Sequence, residues 1–396
     1  MSAGKMDSGS QAAVANPLKA LNEFGQSVWF DYIRRSMLAT GELDRLIEED
    51  GLRGVTSNPA IFEKAITGSK DYADQIALLE KQNVDAMFLY EQLAIQDIKD
   101  AADRLLRVYE KTKRRDGYVS LEVSPYLARD TKATISEARR LWKQVAKPNV
   151  MIKVPATPEG IPAIRALTGS GVSVNVTLIF SLQRYHEVMD AYLGGLEQLA
   201  GAGGKAGDVR SVASFFVSRV DTKVDAAIEQ RLAALPAGDP ARAELESLRG
   251  RAAVANARLA YAAFEQTFGA PRFAALRARG AHVQRPLWAS TSTKNPAYRD
   301  VLYVEELIGP DTVNTIPPQT LVAFNDHGVV EERIRRDLPG ARALFARLPQ
   351  LGVPADALVD QLEEEGVQAF ANSYDEVLAA LESRVRGLGA HPGAQA

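Results

Sequence analysis

Eight short runs of β character, separated for the most part by stretches of helical periodicity, place the strongest limit on how this chain can fold. The runs are Ser27 to Ile33, Gly54 to Asn58, Tyr118 to Val123, Val150 to Val154, Val172 to Ile179, Val209 to Val217, Pro286 to Ser290 and Val313 to Ile316. Helical stretches lie between most of them, among them Glu42 to Glu49, Val84 to Lys111, Lys132 to Gln144, Ile161 to Thr168 and Ser181 to Ala200. Eight strands alternating with helices match an α/β fold of the (β/α)8 TIM-barrel type, in which the strands close on themselves and active residues sit at their C-terminal ends. A doubly wound open sheet is the second reading. It fits less well because no Gly-x-Gly-x-x-Gly turn follows the first run, so the crevice for a dinucleotide is missing.

Two connections are too long for one helix each. The segments Ala60 to Asp116 and Asp221 to Ala281 imply additional helices inserted after strand 2 and strand 6, with Ala226 to Thr267, rich in Ala, Leu, Arg and Glu, reading as a long helical hairpin. Gln319 to Arg384 would supply C-terminal helices able to cover the barrel. The expected organisation is a flexible leader over 1–15, a single barrel domain with helical insertions over 16–388, and a flexible tail over 389–396. Neither a Pro/Gly/Ser linker nor a fixed-period repeat divides the middle part.

Charge and cysteine usage narrow the chemistry. With 47 basic against 50 acidic residues the net charge is -3, so no basic field points to nucleic acid or an anionic membrane. The absence of cysteine excludes disulfides, thiolate nucleophiles, thiolate zinc sites and iron–sulfur clusters. Four histidines, at 186, 282, 327 and 391, make no metal-ligand spacing. Apolar runs fall well short of the ~18 residues of a membrane span, and the N-terminus has no signal pattern, so a cytoplasmic protein is expected.

Lys153 is the odd residue of the fourth run, Asn-Val-Met-Ile-Lys-Val-Pro, where an ammonium must be desolvated. Burial disfavours the charged form of a lysine and makes a neutral amine available for Schiff-base chemistry on a carbonyl. The bland alternative is a strand-end lysine that snorkels to solvent or pairs with a carboxylate.

In a barrel, the polar residues closing each run should converge at one mouth. Asp31 interrupts the apolar first run, a costly place for an unpaired carboxylate unless it caps a loop or pairs with Arg34 or Arg35. The second run ends in Thr56-Ser57-Asn58-Pro59, either substrate-binding groups or a turn ahead of proline. Glu122 lies inside the third run and could form an acid/base pair with Lys153, or a buried ion pair without chemistry. Asn175 and Thr177, two apart, share one face of strand five. Ser214 and Arg219 late in strand six, and Lys294 in the hydroxyl-rich stretch after strand seven, fit a phosphate site. The alternative for Arg219 is a pair with Asp221. Taken together these residues describe Schiff-base chemistry on a phosphorylated keto-sugar.

The motifs Gly54-Val55-Thr56-Ser57-Asn58-Pro59, Leu121-Glu122-Val123-Ser124-Pro125, Ile152-Lys153-Val154-Pro155-Ala156-Thr157, Asn175-Val176-Thr177-Leu178-Ile179-Phe180-Ser181 and Ser214-Phe215-Phe216-Val217-Ser218-Arg219 resemble the transaldolase family, in order and across most of the chain. The length looks like its longer bacterial branch. The resemblance implies a transferase of the non-oxidative pentose phosphate pathway that moves a dihydroxyacetone unit from sedoheptulose 7-phosphate to glyceraldehyde 3-phosphate, giving erythrose 4-phosphate and fructose 6-phosphate. It implies that Lys153 forms the Schiff base, that Asp31 takes the hydroxyl proton driving cleavage, and that Glu122 acts through a water positioned by Thr177. Asn58 and Asn175 would hold substrate hydroxyls, Thr56 would line the substrate site, and Ser214, Arg219 and Lys294 would meet the phosphate. Lys294 falls where much of the family has arginine. Sugar phosphates are the implied partners, and no cofactor or metal is implied. The rival readings are a fructose 6-phosphate aldolase, a relative that does not keep a glutamate at the position of Glu122, and a catalytically silent sugar-phosphate-binding barrel.

Overall fold

Runs such as Val-Met-Ile-Lys-Val-Pro and Val-Asn-Val-Thr-Leu-Ile are apolar on both faces, the pattern of parallel strands that need cover on both sides. A computed structural model, which describes residues 16–82 and 84–388, gives them that cover. Strands β1 (Gln26–Phe30), β2 (Gly54–Val55), β3 (Tyr118–Glu122), β4 (Val150–Pro155), β5 (Val174–Ile179), β6 (Ser211–Phe216), β7 (Gln284–Ala289) and β8 (Thr312–Ile316) form a closed barrel in chain order. Every pair is parallel, and β8 closes on β1. The register sets Glu122 beside Lys153 and Lys153 beside Asn175, so three polar residues of adjacent strands stand at one level near the C-terminal ends. The expected leader over 1–15 and tail over 389–396 lie outside the described residues.

Two strands, β1 and β2, stop three residues short of the expected end at the mouth. The side chain of Asn58 accepts the N–H of Ile61 at 2.9 Å and starts the helix Pro59–Thr67, so β2 gives way to a capped turn after Val55. Likewise β1 stops at Phe30, and Asp31 stands just past the strand end instead of inside it. The expected hairpin over 226–267 is instead three helices, Ser218–Ala234, Ala241–Leu248 and Ala252–Gly269. Pro236, Pro240 and Gly250, the last with φ +67°, break the run that composition alone suggested.

Inside the barrel, Gly54 is required by Trp29. A Cβ at Gly54 would lie 2.5 Å from the indole, whose ring is fully buried and has nowhere to retreat. At the N-terminal end, Arg285 of β7 donates to Asp116 at 2.9 Å and to Ser27 at 2.6 Å, closing the floor. Burial alone would raise the Asp116 carboxyl; the Arg285 charge and the Ser27 hydroxyl outweigh it and hold it below the ordinary range.

The long helix Ala355–Leu388 packs on the helices Pro59–Thr67, Ala86–Lys111 and Ser218–Ala234 and on β5. Tyr374 anchors it, edge-on to Tyr90 at 5.0 Å and to Tyr126 at 5.4 Å between ring centroids. No helix among the described residues is long and apolar enough to cross a membrane.

Candidate active site

Lys153 points into a cavity of about 370 Å³ at the C-terminal end of the barrel, lined also by Asp31, Asn58, Thr177, Arg219 and Lys294. Its Nζ donates to Glu122 Oε2 and to the main-chain carbonyl of Ser57, each at 3.1 Å. The two paired side chains are 5% and 7% exposed, and the ring of Phe370 from the C-terminal helix lies 5.5 Å from the ammonium. Desolvation pushes the Glu122 carboxyl above its ordinary value; the charge of Lys153 opposes this and that of Asp31 adds to it.

Asp31 is held from the side. Thr56 donates its hydroxyl to Asp31 Oδ1 at 2.7 Å and stands 2.6 Å from the hydroxyl of Thr315. Burial raises the Asp31 carboxyl, against the Thr56 hydrogen bond and the charges of Lys153 and Lys294. Among the described residues neither Arg34 nor Arg35 is bonded to it; Arg35 donates to Asp97 instead at 2.9 Å. Thr56 therefore orients a carboxylate, and its own proton is not free for a ligand.

The hydroxyl of Thr177 faces the cavity and has no hydrogen-bond partner among the described residues. Immediately after it the pairing of β5 with β6 slips, and Leu178 takes φ +60°, an uncommon conformation for a residue with a side chain. Asn175 is fully buried behind the cavity wall: its amide donates to Ser120 at 2.9 Å and its carbonyl oxygen accepts the Ser214 hydroxyl at 2.7 Å. Ser214 thus lines the cavity with its proton turned inward, and must rotate to donate to a bound oxygen.

The cations gather on one rim. Asp221, the alternative partner for Arg219, is taken by Tyr303 at 2.8 Å and by the Ala253 N–H at 2.7 Å, which leaves Arg219 over the Phe216 ring at 5.5 Å. Lys294 reaches solvent and donates to Ser292 at 2.7 Å; partial burial, then the charges of Arg219 and Lys64, lower its ammonium. Lys64 was not foreseen, although it follows Ile61 by one helical turn and both line the cavity. The Ser57 carbonyl and Phe370 carried no signal in the sequence, because one is main chain and the other arrives from a distant helix. Among the described residues there is no group of three or more His, Asp or Glu suited to a metal ion.

A family model described as Transaldolase/Fructose-6-phosphate aldolase matches residues 28–381. The chain belongs to that family. It is 48% identical over 366 residues to a protein named Transaldolase from Thiobacillus denitrificans, covering 92% of this chain and 99% of that one. Similarity to Transaldolase 1 of Streptomyces coelicolor is 48% over 378 residues, covering 95% and 97%, and to the Transaldolase of Thermobifida fusca 49% over 366 residues, covering 92% and 97%. All the motifs that resemble the transaldolase family fall inside the matched span, and so does every residue named at the mouth of the barrel.

Proposed function

We propose that this protein is a transaldolase that moves a dihydroxyacetone unit from sedoheptulose 7-phosphate to glyceraldehyde 3-phosphate, acting as one barrel domain over 16–388 in the cytoplasm. Lys153 Nζ adds to the ketose carbonyl. Glu122, through a water held by Thr177, protonates the carbinolamine oxygen, which leaves as water and yields the Schiff base. Asp31 takes the proton of the hydroxyl on the fourth carbon, the bond between the third and fourth carbons breaks, and erythrose 4-phosphate departs. The electron pair stays on the lysine-bound unit as an enamine. That enamine adds to the aldehyde of glyceraldehyde 3-phosphate, Asp31 returns the proton to the new alkoxide, and hydrolysis frees fructose 6-phosphate. Asn58 holds a hydroxyl of the unit, Asn175 positions Ser214 from behind the cavity wall through their 2.7 Å hydrogen bond, and Arg219, Lys294 and a rotated Ser214 hold the phosphate.

The observation that carries this reading is the buried contact of Lys153 Nζ with Glu122 Oε2 at 3.1 Å beside a cavity whose far rim holds Arg219 and Lys294. Release of free dihydroxyacetone, the aldolase alternative, is disfavoured by the Phe370 ring over the lysine, which limits the water that would protonate the enamine. The test is borohydride trapping with fructose 6-phosphate followed by peptide mass mapping. A reduced dihydroxyacetone adduct on Lys153 is expected. No adduct on any lysine of folded, sugar-binding protein would leave a silent barrel.

A further inference from the structure

At the opposite end of the barrel, where β4, β6 and β7 begin, a second cavity of about 510 Å³ opens. It shares no lining residue with the mouth cavity. Lys113, Arg115, Arg210, Arg277 and Arg285 line it against a single carboxylate, Asp311. The nearby acids are already engaged. Asp116 takes Arg285 at 2.9 Å and Arg53 at 3.6 Å, Asp311 takes Arg115 at 2.9 Å, and Asp208 takes Arg114 at 2.8 Å. Lys113, Arg210 and Arg277 are left without a carboxylate partner among the described residues.

Arg210 makes this imbalance costly. It is 8% exposed, and among the described residues its guanidinium is bonded only to two main-chain carbonyls, those of Gly207 at 2.5 Å and Val209 at 3.2 Å. A buried cation without a counter-ion is an expensive arrangement in an isolated chain, and a bound anion removes the expense. His282 reports the local field: loss of solvent, then the charges of Arg210 and Arg115, push its imidazole down to about 4. The lining also carries apolar side chains, Met151, Val212, Phe273 and Val283, and Arg277 stacks on Phe273 at 4.9 Å. Forked guanidinium donors set among apolar side chains suit a phosphoryl group carried on a small carbon skeleton.

We propose that this cavity at the barrel floor binds a small, multiply charged phosphorylated metabolite, with Arg210, Arg277 and Lys113 as its phosphate contacts. The overall charge of -3 argues against a nucleic acid as the source of the phosphates, since the chain as a whole presents no net basic field.

The probe is inorganic pyrophosphate, titrated into full-length protein carrying Arg219→Ala, so that the phosphate subsite proposed at the mouth does not compete. Histidine resonances are followed by NMR, with His282 assigned from its loss in His282→Asn. Saturating pyrophosphate is expected to raise the His282 titration midpoint by about one pH unit or more, because an anion offsets the arginine field. Lys113→Ala and Arg277→Ala, both at exposed positions where folding is not at stake, should each weaken binding about five- to tenfold. A His282 midpoint that does not move at saturation overturns the proposal, as does pyrophosphate affinity unchanged in both variants.

Discussion

Glu122 and Lys153 occupy paired positions on β3 and β4, and the lysine donates to the carboxylate across 3.1 Å in a wall where both side chains are nearly sealed from water. Such a pair is an unpromising source of stability, because desolvating two charges offsets most of their attraction. Its usefulness is chemical: burial holds the Glu122 carboxyl above its ordinary value, so it can carry and release a proton closer to neutrality.

Glu122→Gln keeps the shape and removes the proton carrier. We expect kcat to fall about 10²–10³-fold with the KM of the ketose donor within about a factor of three, measured in a coupled transfer assay. A variant whose only defect is a raised KM would contradict the acid/base role.

Arg219 and Lys294 stand together on the rim with no carboxylate bonded to either among the described residues. Arg219→Ala and Lys294→Ala should each raise KM for phosphorylated donors about 10–100-fold, the cost of one charge-assisted contact, while leaving the slow turnover of unphosphorylated fructose nearly unchanged. Equal losses on both sugars would move these residues out of the phosphate site.

Phe370 closes the space above Lys153. Phe370→Ala admits water to the enamine, so the ratio of free dihydroxyacetone released to units transferred should rise about fivefold or more. The assay is fructose 6-phosphate with and without an aldehyde acceptor; an unchanged ratio would show that this ring does not protect the intermediate.

Asp221 ties the helix Ser218–Ala234 to its neighbours through Tyr303 and the Ala253 N–H. Burial, only partly opposed by those bonds, raises its carboxyl from 3.8 to about 6. The native state therefore binds this proton more tightly than the unfolded chain, and stability falls as pH rises between those two values. The penalty reaches about 3 kcal/mol above the window. The Tm of Asp221→Asn relative to the parent should increase from about pH 4 to about pH 7 and then level off. A difference independent of pH would remove the account.

Much of this was legible in the chain because it rests on local pattern. All eight strands appear, and the helix Glu42–Glu49 has the bounds its periodicity predicts. Lys153, Glu122 and Thr177 announced themselves as polar residues inside apolar runs, where backbone alternation decides which way a side chain points. Composition misled where proline and glycine punctuate an Ala/Leu-rich stretch, since 226–267 forms three helices and not a hairpin.

By itself, then, the sequence determined the alternation of strands and helices and the identity of the polar residues at the strand ends, since both follow from neighbours in the chain. Only the tertiary structure decided what those residues do to one another: that Thr56 is taken by Asp31, that the Ser57 carbonyl receives Lys153, that Asp221 leaves Arg219 free, and that Phe370 roofs the lysine. The same holds for the cations of the floor, drawn from the loop before β3, the start of β6 and the helix Pro271–Arg277. The reason is physical. Barrel closure and the docking of the last helix bring together groups far apart in the chain, and hydrogen bonding and desolvation act on distance in space, which no local pattern records.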